Sequence, residues 1–325
     1  MIKPLMSLRF VFAFFVFINH SGDGANINGV LGWLLKNKFS DSSNVEFFFI
    51  LSGFLLTLIY EKRISNRSDL LKFYASRIFK IIPAHLFVLT VTLMILPISE
   101  LSIKWIIKVL INAGLLQSYI PIEGVFFSFN APTWSISCQL FFYALFPLLI
   151  HAQQSLSKRI KISFLAGFAL LILVLIQLLP KDLHKAIIYV SPFIRIFDFI
   201  LGMACAYIWQ LNKNKQLKHS TLWELCALTI LTSFYFFYSS VPEVYRFSVY
   251  YWLPMLLLIF IFSYQGGAIS KLLSNKYVYK LRVKLCNIHG SFPNNKIDQQ
   301  VYYQQTSFIL LYITSTYNFC CTPIA

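Results

Sequence analysis

Leu8–His20 reads LRFVFAFFVFINH. Between Arg9 and His20 every residue is apolar except Asn19. Eleven positions separate the two, and at about 100° per residue they return to within roughly 20° of one another, about 16 Å apart along a helix axis. Arg9 and His20 therefore share one helical stripe. An ionisable residue inside an apolar span is costly and faces a protein interior or a wet cavity. The stretch reads as a membrane helix with a cationic fork near one end and a titratable base at the other.

The rest of the chain fits that reading. Of 325 residues, 58% are hydrophobic and only 12% charged, and the mean hydropathy is +0.66. Soluble domains carry about 25% charged residues. Apolar runs close to the ~20 residues that cross a bilayer recur along the chain. The expected fold is all-α, a polytopic helical bundle with about eight spanning helices up to residue 265. The expected spans are Leu5–His20, Val45–Tyr60, Ile81–Leu96, Thr133–Ile150, Ser163–Leu179, Ser191–Leu211, Leu222–Tyr238 and Val249–Tyr264. A shorter helix is expected at Ile103–Gln117, and Pro83 falls in the first turn of its span, where proline is tolerated.

The net charge of +16 does not imply a nucleic-acid partner. The Lys and Arg residues cluster in short connections, most densely in EKRISNRSDLLKFYASRIFK at 61–80, and the positive-inside rule accounts for them. That rule puts the N-terminus on the cytoplasmic side, with Arg9 toward the inside and His20 toward the outside. The first helix has no small-residue cleavage site and reads as retained. Six cysteines show no metal-type or disulfide-type spacing, so no metal site is expected. Residues 266–325 are a different, polar tail, either a soluble extension or the product of an altered reading frame.

Five segments together resemble the integral-membrane acyltransferase 3 family, which includes bacterial O-acetyltransferases of surface polysaccharides. They are Arg9 and His20; then Glu46, Phe47, Phe48, Ser52, Gly53 and Phe54; then Arg77 through Pro83; then Trp134, Ser135, Ser137, Phe142, Tyr143 and Pro147; and finally Arg195, Asp198, Phe199 and Gly202. No single motif is specific, but five in the family's order are. The resemblance covers about residues 5–265. Gln139 stands where the family usually has Glu, and nothing after residue 276 matches the family's final helices.

The resemblance implies a membrane O-acyltransferase in a bacterial inner membrane. It would use acyl-CoA, expected to be acetyl-CoA, as co-substrate, with no bound cofactor and a glycan or lipid-linked saccharide as acceptor. His20 is the candidate general base, since acyl transfer needs a group that takes the hydroxyl proton, and a neutral imidazole suits this near pH 7. Arg9 is the candidate for binding the donor or steadying the oxyanion. Glu46, expected at the outer end of its helix, is the candidate partner of His20. Arg77, Ser52, Trp134, Ser135, Tyr143 and Arg195 are candidate substrate or donor contacts. All but Ser52 also have a plain reading: topology charge for Arg77, ion pair with Asp198 for Arg195, packing for Trp134 and Tyr143, and backbone bonding for Ser135. Two other functions compete: a transporter or flippase with Arg9, Arg195 and His20 lining a path, and a non-catalytic remnant of the family.

Overall fold

The computed structural model describes residues 2–20, 41–95, 102–215 and 217–275, with side chains from 2–16 and from 43 onward. The polar tail beyond 275 lies outside the described residues. Every regular element among those described is helical. The main helices are α1 (Lys3–His20), α2 (Asp41–Tyr60), α3 (Arg67–Ile95), α4 (Ile103–Ala113), α5 (Thr133–Ser155), α6 (Lys158–Leu178), α7 (Pro192–Asn212), α8 (Ser220–Phe237), α9 (Trp252–Phe262) and α10 (Ala268–Leu273). Each of the eight expected spans coincides with a helix. Among the described residues, six helical stretches are long and apolar enough to cross a membrane: Ser43–Tyr60, Arg67–Ile95, Thr133–Ser155, Lys158–Leu178, Pro192–Asn212 and Ser220–Ser240.

Two boundaries differ from the sequence reading. The basic stretch before residue 81 is not a loop, because α3 is already helical from Arg67. Its start is capped locally: the Asp69 amide donates to the Asn66 side chain at 2.9 Å, and the Ser65 hydroxyl to the Asp69 carboxylate at 3.0 Å. Residues 67–82 contain neither Gly nor Pro, so nothing stops the helix there. Pro83 consequently lies well inside α3. The last expected span is also shorter, with α9 covering only Trp252–Phe262.

The core is organised by α2 and α7, which pack against each other more extensively than any other described pair. Their approach depends on two glycines. A Cβ on Gly53 would lie 1.9 Å from the Phe199 carbonyl oxygen, and a Cβ on Gly202 would lie 1.9 Å from the Ile50 carbonyl oxygen. Each helix thus presents bare backbone to the other, the small-residue contact expected where lipid supplies no hydrophobic drive between helices. The two helices run parallel. Glu46 and Arg195 meet near their first turns, while Leu58 and Gln210 line one cavity near their last. α1 runs antiparallel against α2, with Phe12 stacked on Phe47 at 3.9 Å. α5 closes the other side of α2 through Phe142 and Phe49, whose ring centroids are 4.9 Å apart.

Candidate functional site

The α2–α7 crossing brings three charges together inside the bundle. Arg195 and Asp198 stand three residues apart on one face of α7, and their side chains pair at 3.0 Å with no solvent exposure. Arg195 Nη1 also donates to the Phe247 carbonyl at 2.5 Å, and its guanidinium lies 5.3 Å over the Phe49 ring. Asp198 accepts the Trp252 indole N–H at 2.7 Å. Glu46 of α2 is fully buried and lies in the field of both Asp198 and Arg195. Neither of its carboxylate oxygens has a hydrogen-bond partner. The Tyr251 hydroxyl is buried in the same field, likewise without a partner, and its ring lies 5.5 Å from that of Tyr235. Tyr235 in turn bonds the Ser43 hydroxyl at 3.0 Å. The result is a buried polar cluster at the Asp41 end of α2. It holds two carboxylates, one arginine and two phenols, contributed by α2, α7, α8 and the segment before α9.

Gln139 and Ser52 sit between α5 and α2, where the Gln139 amide donates to the Ser52 hydroxyl at 2.5 Å. An amide at 139 can make that donation and a carboxylate cannot, so the residue that departs from the family pattern is also the one that bridges these helices. Trp134 is buried between Phe49 and Tyr189, at 6.2 and 4.6 Å. Ser135 donates to the Pro132 carbonyl of its own turn at 2.8 Å. Ser137 donates to the Leu115 carbonyl and pairs with Ser118, both at 2.5 Å, tying α5 to the connection before it.

Arg77 is no surface topology charge. It is 1% exposed and its guanidinium is boxed by the rings of Tyr60, Phe73 and Tyr143 at 5.1, 5.4 and 5.5 Å. It donates to the Tyr60 hydroxyl at 2.5 Å, while Nε and Nη1 make no hydrogen bond. The structure thus joins Arg77 and Tyr143 in one contact.

Arg9 is buried on the face of α1 that meets α2, its guanidinium 5.7 Å over the Phe48 ring. α1 continues without a break to His20. The His20 side chain lies outside the described residues. Because Phe12 stacks on Phe47, Glu46 is level with the middle of α1, about 12 Å short of His20 along the axis. The structure brings Glu46 to Arg195 and Asp198.

At the opposite end a cavity of about 620 Å³ opens between α1, α2 and α7. Ile2, Leu55, Leu58 and Trp209 form its apolar wall, and Lys62, Arg63 and Lys213 stand at its exposed edge with Glu61. Tyr251, Trp252, Tyr235 and Glu224 did not figure in the sequence reading. Glu224 carried a usable signal, a lone acid in the apolar run LWELCALTIL. The tyrosines and Trp252 carried none, because aromatic residues are common at membrane interfaces.

A family model described as an acyltransferase domain matches residues 5–287. The chain belongs to this acyltransferase family. The match runs past residue 265 and takes in α2 to α10 whole and α1 from residue 5 onward. Among curated relatives, the acyltransferase MdmB of Streptomyces mycarofaciens is 32% identical over 109 residues, covering 32% of this chain and 27% of its own length. The O-acetyltransferase OatA of Staphylococcus aureus is 29% identical over 182 residues, 51% of this chain and 30% of its own. These matches therefore span about a third or less of either relative. No solved structure matches the chain.

Proposed function

We propose that this acyltransferase-family chain is a membrane O-acyltransferase, moving an acyl group, acetyl in the simplest case, from acyl-CoA to a hydroxyl of a cell-surface or lipid-linked glycan. The observation that carries the reading is the family match over residues 5–287. O-acetyltransferase relatives support the reaction type. The positive-inside pattern supports a multi-pass protein of a bacterial inner membrane with its N-terminus in the cytoplasm.

On this reading α1 is the reaction line. The cavity beside Ile2 lies on the donor's side, where Lys62, Arg63 and Lys213 offer charge to CoA phosphates and the apolar wall accommodates the pantetheine arm. Arg9 is about 10 Å further along the chain axis than Ile2, buried between that cavity and His20 where it can meet the donor's pantetheine arm. The acceptor oxygen attacks the thioester carbonyl; a C–O bond forms and the C–S bond breaks. A ring nitrogen of His20 takes the hydroxyl proton and passes it to the departing thiolate. Arg9, about 16 Å from His20 along the axis, holds the donor through its pantetheine amides or phosphates while the reacting carbonyl lies at His20. Glu46, Arg195 and Asp198 form a charged cluster behind α2 that sets the field on that side of the bundle.

The test is ester formation on surface glycan in cells lacking other acetyltransferases. They would express the chain or its His20→Ala or Arg9→Met variant at matched membrane levels. Loss of the base is expected to lower transfer by about 10²–10⁴-fold. Undiminished ester formation by His20→Ala would refute the assignment.

A further inference from the structure

The turn that opens α10 is held in an unusual way. Four consecutive backbone N–H groups, those of Gly267, Ala268, Ile269 and Ser270, all donate to side chains of α8. Glu224 Oε1 takes Gly267 at 3.1 Å, and Glu224 Oε2 takes Ile269 at 3.0 Å and Ser270 at 3.2 Å. The Thr221 hydroxyl takes Ala268 at 3.0 Å. The first four amides of a helix lack partners within it, so α8 satisfies the whole opening turn of α10. Glu224 is 1% exposed, and this capture is what offsets the burial of its charge. Gly267 must be glycine for the contact to exist, because a Cβ there would lie 2.1 Å from Glu224 Oε2.

The other end of α10 is tied to α1. The Ser7 hydroxyl donates to the carbonyl of Leu273, the last residue of α10, at 2.7 Å. Ser7 is two residues before Arg9, and α10 packs against both α8 and α1. With only six residues, α10 transmits the position of one end to the other as a short rigid strut.

We propose that Glu224 is a positioning residue for α1: through α10 it sets the height and rotation of the helix that carries Arg9 and His20. The proposal rests on the acyl-transfer reading for its consequence, since a displaced α1 misplaces Arg9. Its structural half stands without that reading.

Amide hydrogen exchange of the full-length protein in detergent or nanodiscs tests it, with Glu224→Ala, Gly267→Ala and Thr221→Ala variants. Glu224→Ala removes the acceptor, and Gly267→Ala pushes it away while keeping the charge. Both should speed exchange at 267–275 by about tenfold or more, the scale of losing hydrogen bonds to a charged group. Both should also speed exchange at 7–12 of α1 by a smaller factor, while 140–150 of α5 keeps wild-type protection. Thr221→Ala, which leaves Glu224 in place, should show the same pattern more weakly and covers the case in which the stronger variants do not accumulate. Faster exchange at 267–275 with α1 unchanged would overturn the proposal, as would a uniform increase across all three segments. A donor-dependent transfer rate that falls in the order of α1 protection across the variants would link the strut to the reaction. A flat rate would confine Glu224 to holding α10.

Discussion

The α2–α7 crossing yields a sharp test in Gly53→Ala. The added methyl would lie 1.9 Å from the Phe199 carbonyl oxygen and 2.9 Å from its carbonyl carbon. An ordinary contact begins near 3.4 Å, so the helices must part by about 1.5 Å, and a gap of even 0.5–1 Å forfeits a quarter to a half of each dispersion contact across it. No side chain can swing away to relieve the clash, because what the methyl meets is backbone. The cost should therefore sit at the upper end of the overpacking range, about 3 kcal/mol. For a chain of this size that is roughly 4 °C in Tm, measurable by thermal unfolding in detergent. The reciprocal contact gives a second reading of the same geometry. Gly202→Ala meets the Ile50 carbonyl oxygen at 1.9 Å, and once either methyl has opened the crossing the other enters space already made. The double variant should cost little more than one of the singles, a coupling of about 2 kcal/mol. If Gly53→Ala melts like wild type, or the two costs add in full, the backbone-to-backbone approach is wrong.

Asp198→Ala leaves Arg195 buried without its carboxylate and the Trp252 indole without its acceptor, so it should cost about 3–5 kcal/mol in the same unfolding assay, while the Arg195→Met/Asp198→Leu pair recovers most of that loss. Additive losses in the pair would argue against a mutual ion pair. Arg77→Lys keeps the charge but gives up the flat guanidinium that stacks on Tyr60, Phe73 and Tyr143. It should cost about 1–2 kcal/mol of stability from the cation–π contacts, and Tyr60→Phe a similar amount from the lost hydrogen bond.

The helices were legible because lipid imposes long apolar runs. What failed was local. Residues 67–80 carry enough charge to look like a loop, yet they lack helix breakers and carry a cap at Asn66, so the backbone stays helical and swings Arg77 inward. Gly53 and Gly202 stood in the sequence as motif positions, but nothing in either segment named the other as its partner. The same holds for Asp198 and Trp252, which are 54 residues apart. Such pairings depend on how helices are arranged around one another, and hydropathy is silent on that. Glu224 was visible as a lone acid in an apolar run. Its role was not, since its partners are backbone amides that any residue carries.

The buried charges can be separated by how their burial is offset. Arg195 and Asp198 have each other, Arg77 has three rings and a phenol, and Glu224 has three amides. Glu46 has no hydrogen-bonded partner: it is fully buried, both oxygens lack a hydrogen bond, and the like charge of Asp198 opposes the attraction of Arg195. A group that destabilises the fold it sits in is retained for something other than the fold. Glu46→Gln removes the charge while keeping the shape, so it should leave the unfolding temperature unchanged or raise it, and lower acyl transfer at matched membrane levels. Glu224→Gln should do the reverse to stability, because its three amide donors lose a charged acceptor, at about 1.5–3 kcal/mol for such a bond. The two isosteric changes are compared in one assay. If Glu46→Gln proves the more destabilising, the carboxylate has a structural partner and the cluster is not where the chain keeps its unspent polarity.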